Sequence, residues 1–257
     1  MKDLKHHTSE AGSAVVVCSS ESDFLSIRGL GVKFRNAGRT IQALDKIDLS
    51  IKKREKVAII GETGSGKSVL LLALLRLLPA NAQISGRIYY KGKDILKLGD
   101  DGMRQIRGKE IAYVPQGAGN ALNPALKIGF QVAEPLRVHS GLKKAPALKR
   151  AVILLDKMGI EEAEKRVSDY PHQYSGGMKE RALVAMALAG EADLILADEP
   201  VKGLDWGKRE EILRIFQGLN SKTILTITHD LWFAERFAQR VVVIYASKIV
   251  EVAPQET

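Results

Sequence analysis

The chain has 257 residues, 45% of them hydrophobic and 27% charged, and carries a formal net charge of +9. That is ordinary globular composition, sufficient for one domain or one domain with a subdomain, and no apolar run approaches the roughly 20 residues of a membrane-spanning helix. A single cysteine, Cys18, excludes an internal disulfide and any metal site built from several thiolates of this chain, and fits a reducing, cytosolic setting.

Residues 1–23 are polar, rich in Ser and Glu and without periodicity, so they read as a flexible extension. The "AVVVC" run ending at Cys18 is too short for a secretory leader, and acidic Glu10 precedes it. From Phe24 onward short apolar stretches alternate with turn residues, and "KVAII" runs straight into glycines. "SVLLLALLRLLP" follows, apolar nearly all round as a helix packed on several sides is, with Pro79 expected to stop it. "GRIYYKGKDI" and "EIAYVPQ" read as strands.

Residues from about 120 to 185 differ, with helical spacing in "LKRAVILLDKMGI" and a loop expected at "HSGLKKAPA". Then come the strand "DLILADE", a helix around "GKREEILRIFQGL", the strand "KTILTITHD", a helix through "LWFAERFA" and the strand "RVVVIYA". Strands alternating with helices predict an α/β fold, a mostly parallel sheet covered on both sides, over residues 24–257 with a helical insertion.

"GETGSGKS" places Gly61, Glu62, Thr63, Gly64, Ser65, Gly66, Lys67 and Ser68 in the G-x-x-x-x-G-K-[ST] pattern, between a strand and a helix as that pattern requires. The glycines let successive backbone N–H groups turn onto a β-phosphate, helped by the positive end of the helix dipole. Lys67 is expected to reach the β- and γ-phosphates, and the Ser68 hydroxyl to ligate Mg²⁺. "LILADEP" ends an apolar strand in Asp198 and Glu199, at the sheet edge where ligands bind in such folds. Asp198 is placed to bind Mg²⁺ through its water shell, and Glu199 to polarise a water for in-line attack on the γ-phosphate. The plainer reading of the pair is an acidic helix cap.

A second cradle stands in "YPHQYSGGMKER". Ser175, Gly176 and Gly177 precede a helical run, and amides with a hydroxyl at a helix N-terminus make an anion site, or simply an N-capped core helix.

Read together, "GETGSGKS", Gln116 in "YVPQ", "YSGGM", "LILADEP", Asp205 closing "GLD" and His229 in "TITHD" resemble, in order and approximate spacing, the ATP-binding cassette (ABC) ATPases, over about residues 24–252. The resemblance implies a P-loop fold with an ABC-type mixed sheet, an antiparallel β subdomain and an inserted α-helical subdomain. It implies an ATPase using ATP and Mg²⁺, in which the Ser-Gly-Gly loop holds the γ-phosphate of ATP lying on a second ATPase subunit. Gln116 would contact Mg²⁺ and the attacking water, His229 would contact the γ-phosphate and orient the water of Glu199, and Asp205 would sit at the dimer contact.

"NALNPALKIGFQVAEPL" and "YPHQYSGGM" are further similar to the ATPases of oligopeptide, dipeptide and nickel importers. Those work at the cytoplasmic face of the membrane with two membrane permease subunits and an external solute-binding protein. Residues 117–124 would then lie near the permeases' coupling helices. Three departures stand out. Where the subgroup has two threonines and "ALD" after "DEP", this chain has Val201, Lys202 and Gly203; Ser247 replaces a customary glycine; and only Phe34 stands upstream as an aromatic to stack on adenine. The sequence stops at Thr257 without the cysteine-bearing extension of peptide-type members, which favours either a short, nickel-like form or a shortened chain.

An alternative is a soluble ABC ATPase that remodels or activates a metalloenzyme. The basic charge also suits a nucleic-acid ABC ATPase, but those carry long coiled-coil insertions and no sustained heptad occurs here. No run of five basic residues occurs, so the Lys and Arg residues, densest in "IKKREK", are expected on solvated faces, with proximity to an anionic membrane surface as the alternative and no nucleic-acid partner.

Overall fold

The computed structural model describes residues 23–36, 38–117 and 121–254, so the expected extension lies outside it except for Asp23. Strand β1 (Leu25–Asn36) pairs antiparallel with β2 (Arg39–Ile51), from Leu25 opposite Ile51 to Asn36 opposite Arg39. The stretches that read as short apolar segments are thus one long hairpin with register shifts along it. Strand β3 (Lys56–Ile60) leads through the glycine loop into helix α1 (Lys67–Leu74). Strands β4 (Ala82–Tyr90) and β5 (Lys93–Asp94) return to complete a four-stranded antiparallel sheet, ordered β2-β1-β4-β5.

Helix α1 stops before Pro79 is reached. The Leu77 N–H bonds to the Leu72 carbonyl (2.9 Å) and the Arg76 N–H to that of Ala73 (3.0 Å), with Arg76 in the left-handed region at φ 51°. That closing turn satisfies the last carbonyls, so hydrogen bonding rather than the proline ends the helix.

After α2 (Asp100–Ile106), β6 (Ile111–Val114) opens onto a helical layer: α3 (Ile128–Ser140), α4 (Lys144–Lys157), the single turn α5 (Ala163–Arg166) and α6 (Gly176–Ala189). The loop expected at "HSGLKKAPA" shrinks to residues 141–143. Gly141, at φ 66°, turns the chain out of α3, and Pro146 falls in the first turn of α4, where its missing N–H has no helical partner to lose.

Then β7 (Leu194–Asp198), α7 (Trp206–Gly218), β8 (Thr223–Ile227), α8 (Leu231–Phe237), β9 (Arg240–Tyr245) and β10 (Lys248–Pro254) finish the main sheet. Its order is β10-β9-β3-β8-β7-β6; every neighbouring pair is parallel except β10 with β9.

Side-chain alternation explains the layers. On β7, Leu194 and Leu196 join the core shared with α1 and the antiparallel sheet, whereas Ile195 and Ala197 join the core under the helical layer. A strand buried on both faces reads as continuously apolar, which is why "LILA" has no polar beat. Each fully buried leucine of α1, Leu70, Leu71 and Leu74, contributes roughly 1.5–3 kcal/mol. The architecture is the one expected: α/β, a mixed sheet between an antiparallel β layer and inserted helices.

Candidate nucleotide-binding site

The loop from Gly61 to Gly66 turns between the carboxyl end of β3 and the N-terminus of α1. Gly66, at φ 101°, precedes the helix; a Cβ there would stand 2.3 Å from the Ala43 carbonyl oxygen, and one on Gly61 would stand 2.0 Å from that of Ile244. Neither position accommodates a side chain. No side chain caps α1 at Gly66, so its first amides are left for an anion.

In front of them lies a cavity of about 190 Å³. Thr63, Gly64, Gly66, Lys67 and Ser68 line it from the loop, Gln116 from the segment after β6, and Glu199 from the end of β7. Lys67 is buried, and its Nζ donates to the Gly61 and Glu62 carbonyls at 2.7 Å each. Desolvation lowers the pKa of this ammonium, opposed by the nearby Glu199 and Asp198 carboxylates.

Asp198 is buried at the end of β7. Its Oδ2 accepts from the Tyr113 hydroxyl at 3.3 Å, and Oδ1 has no protein partner. Burial pushes this carboxyl above the usual range, opposed by the nearby hydroxyls of Ser68 and Tyr113. A buried, unpartnered carboxylate oxygen beside a serine hydroxyl is the hard-oxygen donor set that suits Mg²⁺. Bound there, Mg²⁺ would neutralise phosphate charge, held by Ser68 and Asp198 with Gln116 facing the same cavity. Tyr113 was not singled out from the sequence; an aromatic in a strand reads as core, and only the pairing of β6 beside β7 brings its hydroxyl to Asp198.

Glu199 stands at φ 53°, in the left-handed region that disfavours side chains. The backbone is held there by its N–H donating to the Ile227 carbonyl at 2.9 Å. The carboxylate accepts from both the backbone N–H of His229 (3.2 Å) and its Nδ1 (2.8 Å). His229 does not line the cavity itself; it touches the residue that does. The acidic pair is therefore no helix cap: one oxygen set is buried next to the loop serine and the other is aimed by an imidazole.

The second cradle lies elsewhere. Ser175 caps α6, its hydroxyl accepting from the Met178 N–H at 3.3 Å, and Ser175 and Gly176 are exposed. A Cβ on Gly177 would stand 2.8 Å from Lys208 Cδ, and the Lys208 ammonium pairs with Asp205, the N-cap of α7. Ser175, Gly176, Gly177 and Asp205 thus form one neighbourhood apart from the cavity, bridged by Lys208. Phe34 does not line the cavity either; it is half-buried on β1 against the core of the antiparallel sheet. Lys202, noted from the sequence only as a departure, does line it.

A parallel sheet with a glycine loop at one helix N-terminus and two carboxylates at the neighbouring strand end defines a P-loop nucleotide-binding ATPase. The family model for ABC transporters matches residues 44–202. Two relatives, each carrying the name "Putative peptide import ATP-binding protein", come from Brucella abortus (strain 2308) and Brucella melitensis biotype 1. They are 42% identical to the chain over 234 and 245 residues, covering 90% and 91% of it and 70% and 72% of their own lengths. Among solved structures, the dimeric post-hydrolysis state of the ATP-binding cassette MJ0796 bound to ADP and Pi superposes with a TM-score of 0.81 at 29% identity, covering 91% of this chain and 99% of that one. The protein cbiO1 of Clostridium perfringens, part of the ABC transporter complex cbiONQ, gives 0.76 at 27% identity, covering 91% and 89%. The chain belongs to the ABC transporter ATPases and is the ATP-binding, ATP-hydrolysing subunit of a transporter.

Proposed function

We propose that the chain powers an importer of peptides or a related solute, nickel complexes included, from the cytoplasmic face of the membrane. Carrying this reading is the 42% identity, over nine-tenths of the chain, to proteins named for peptide import. In the proposed cycle the P-loop of one subunit, with Mg²⁺ on Ser68 and Asp198, holds ATP, and Ser175, Gly176 and Gly177 of a second ATPase subunit close over the γ-phosphate. Asp205 lies at that contact.

The separation of the exposed α6 N-terminus from the cavity supports a site completed only in a dimer, as does the dimeric state of MJ0796. Glu199, aimed by His229, takes the proton of the attacking water as its oxygen bonds to the γ-phosphorus and the bond from phosphorus to the bridging oxygen breaks; Gln116 would contact that water and help to hold Mg²⁺. ADP and phosphate then leave and the dimer reopens.

A groove of about 560 Å³ on the helical layer has Leu126, Phe130, Leu148 and Val152 among its apolar lining and Lys127, Lys144 and Lys149 among its charged one. Its lining begins at Ala125, next in sequence to the expected contact segment 117–124, of which residues 118–120 lie outside the described residues. The groove suits a cytoplasmic helix of a membrane permease. Two permeases and, indirectly, an external solute-binding protein complete the proposed assembly. Among the described residues no helix is long and apolar enough to cross a membrane.

Affinity purification of the tagged chain from its native membranes in mild detergent tests the reading. Two multi-spanning permeases and an ATPase should co-purify. Recovery of a soluble metalloenzyme in their place would replace the importer by a remodelling factor.

A further inference from the structure

The phosphate cavity is lined by two lysines, and the sequence pattern of a phosphate loop accounts for one. Lys202 lines the cavity from the stretch that follows the carboxylate pair. Its backbone N–H bonds to the Glu199 carbonyl at 3.1 Å, closing a tight turn with Pro200 at its second position, and buried Val201 anchors that turn in the core. The lysine is therefore held at a fixed point beside Glu199 while its side chain stays exposed. Among the described residues it enters no ion pair.

Its side chain lines the same cavity as Lys67, Ser68 and Glu199, the groups expected to handle the phosphates. The two lysines also face different parts of the cavity. Lys67 is folded onto the carbonyls of Gly61 and Glu62, inside the loop that cradles the β-phosphate. Lys202 stands with Glu199, at the end where a γ-phosphate must lie for water to attack it.

We propose that Lys202 is a second phosphate-binding cation, contacting the terminal phosphate of the nucleotide held by its own chain's P-loop and so favouring triphosphate over diphosphate. The proposal rests on the cavity being the ATP site. Its chemistry is that of a charge-assisted hydrogen bond from an ammonium to a phosphate oxygen, in a position that ADP leaves without an anion.

Equilibrium binding of ADP and of the non-hydrolysable imido analogue of ATP, both with Mg²⁺, to the full chain tests it. Lys202→Met should weaken the analogue by roughly tenfold, the scale of one hydrogen bond to a charged group. ADP affinity should stay as it is, and Lys202→Arg should restore the preference. Unchanged analogue binding in Lys202→Met, or an equal loss for both nucleotides, would overturn the assignment. Lys67→Met separates this from the reading beneath it: that variant should lose both nucleotides, and if it keeps both the cavity is not the nucleotide site.

Discussion

Glu199 and His229 meet twice at one oxygen: the backbone N–H and Nδ1 of His229 both donate to Glu199 Oε2, at 3.2 and 2.8 Å. The carboxylate is thereby fixed in direction at the mouth of the phosphate cavity, on a backbone already in a disfavoured conformation. Glu199→Gln keeps an oxygen that can accept both bonds and removes only basicity. Phosphate release should fall by roughly 10²–10⁴-fold, while ATP binding persists and a nucleotide-bound dimer accumulates on size exclusion. Unchanged steady-state hydrolysis would remove Glu199 from the mechanism.

His229→Ala leaves the base in place but frees its orientation. Hydrolysis should drop by up to roughly 10²-fold, the scale of a small misplacement of a reacting group, with nucleotide affinity nearly intact. Single-turnover kinetics against equilibrium binding separates the two; equal losses in both would mean that His229 acts in binding.

Asp198 carries a buried oxygen without a protein partner and a carboxyl pKa raised by burial. A group whose pKa rises on folding stabilises the fold when protonated, and that stability is lost as pH rises through the folded pKa. Asp198→Asn should therefore raise the melting temperature of the nucleotide-free protein at neutral pH. The advantage should vanish in acid, where the native carboxyl is protonated too. The same variant should lose the extra stabilisation that Mg²⁺ adds to ATP, as chelation of Mg²⁺ should in the native chain. Calorimetric scans across pH, with and without Mg²⁺ and ATP, check all of this.

Ser175 both caps α6 and stands in the exposed cradle. Ser175→Arg should abolish hydrolysis while ATP affinity of the isolated chain stays near normal. Because loss of the cap alone costs roughly 0.5–2 kcal/mol, Ser175→Asp is the sharper variant: it preserves the cap and presents a negative charge to the partner's γ-phosphate. Weakened ATP binding by the monomer in either variant would contradict a role across the dimer.

Arg209 ties two catalytic segments together, its Nε donating to the Leu204 carbonyl and Nη1 to Asp230 Oδ2, both at 2.9 Å. Asp230 in turn caps α8, directly after His229. Arg209→Met should cost about 1–2 kcal/mol of stability and slow hydrolysis more than it weakens ATP binding, because it loosens the loops around Asp205 and His229 together. Chemical denaturation and turnover measured on the same preparation provide the check.

Much of this protein is local and was therefore legible in its residues. Gly61 to Ser68 between a strand and a helix, the unbroken "LILA" ending in two carboxylates, and the Ser-Gly-Gly start of a helix each follow from backbone sterics, period and capping, which act over a few neighbours. The same short range misplaced two boundaries: the end of α1, set by a closing turn at Arg76 rather than by Pro79, and the loop before α4, where Pro146 fits a first helical turn. What needed the tertiary structure was every contact between distant segments. Tyr113 reaches Asp198 because β6 pairs with β7, His229 reaches Glu199 because β7 pairs with β8, and Lys202 shares a cavity with Lys67 because β3 and β7 both run parallel to β8 between them. Sheet order and the packing of two cores decide such meetings, and no residue spacing along the chain encodes them.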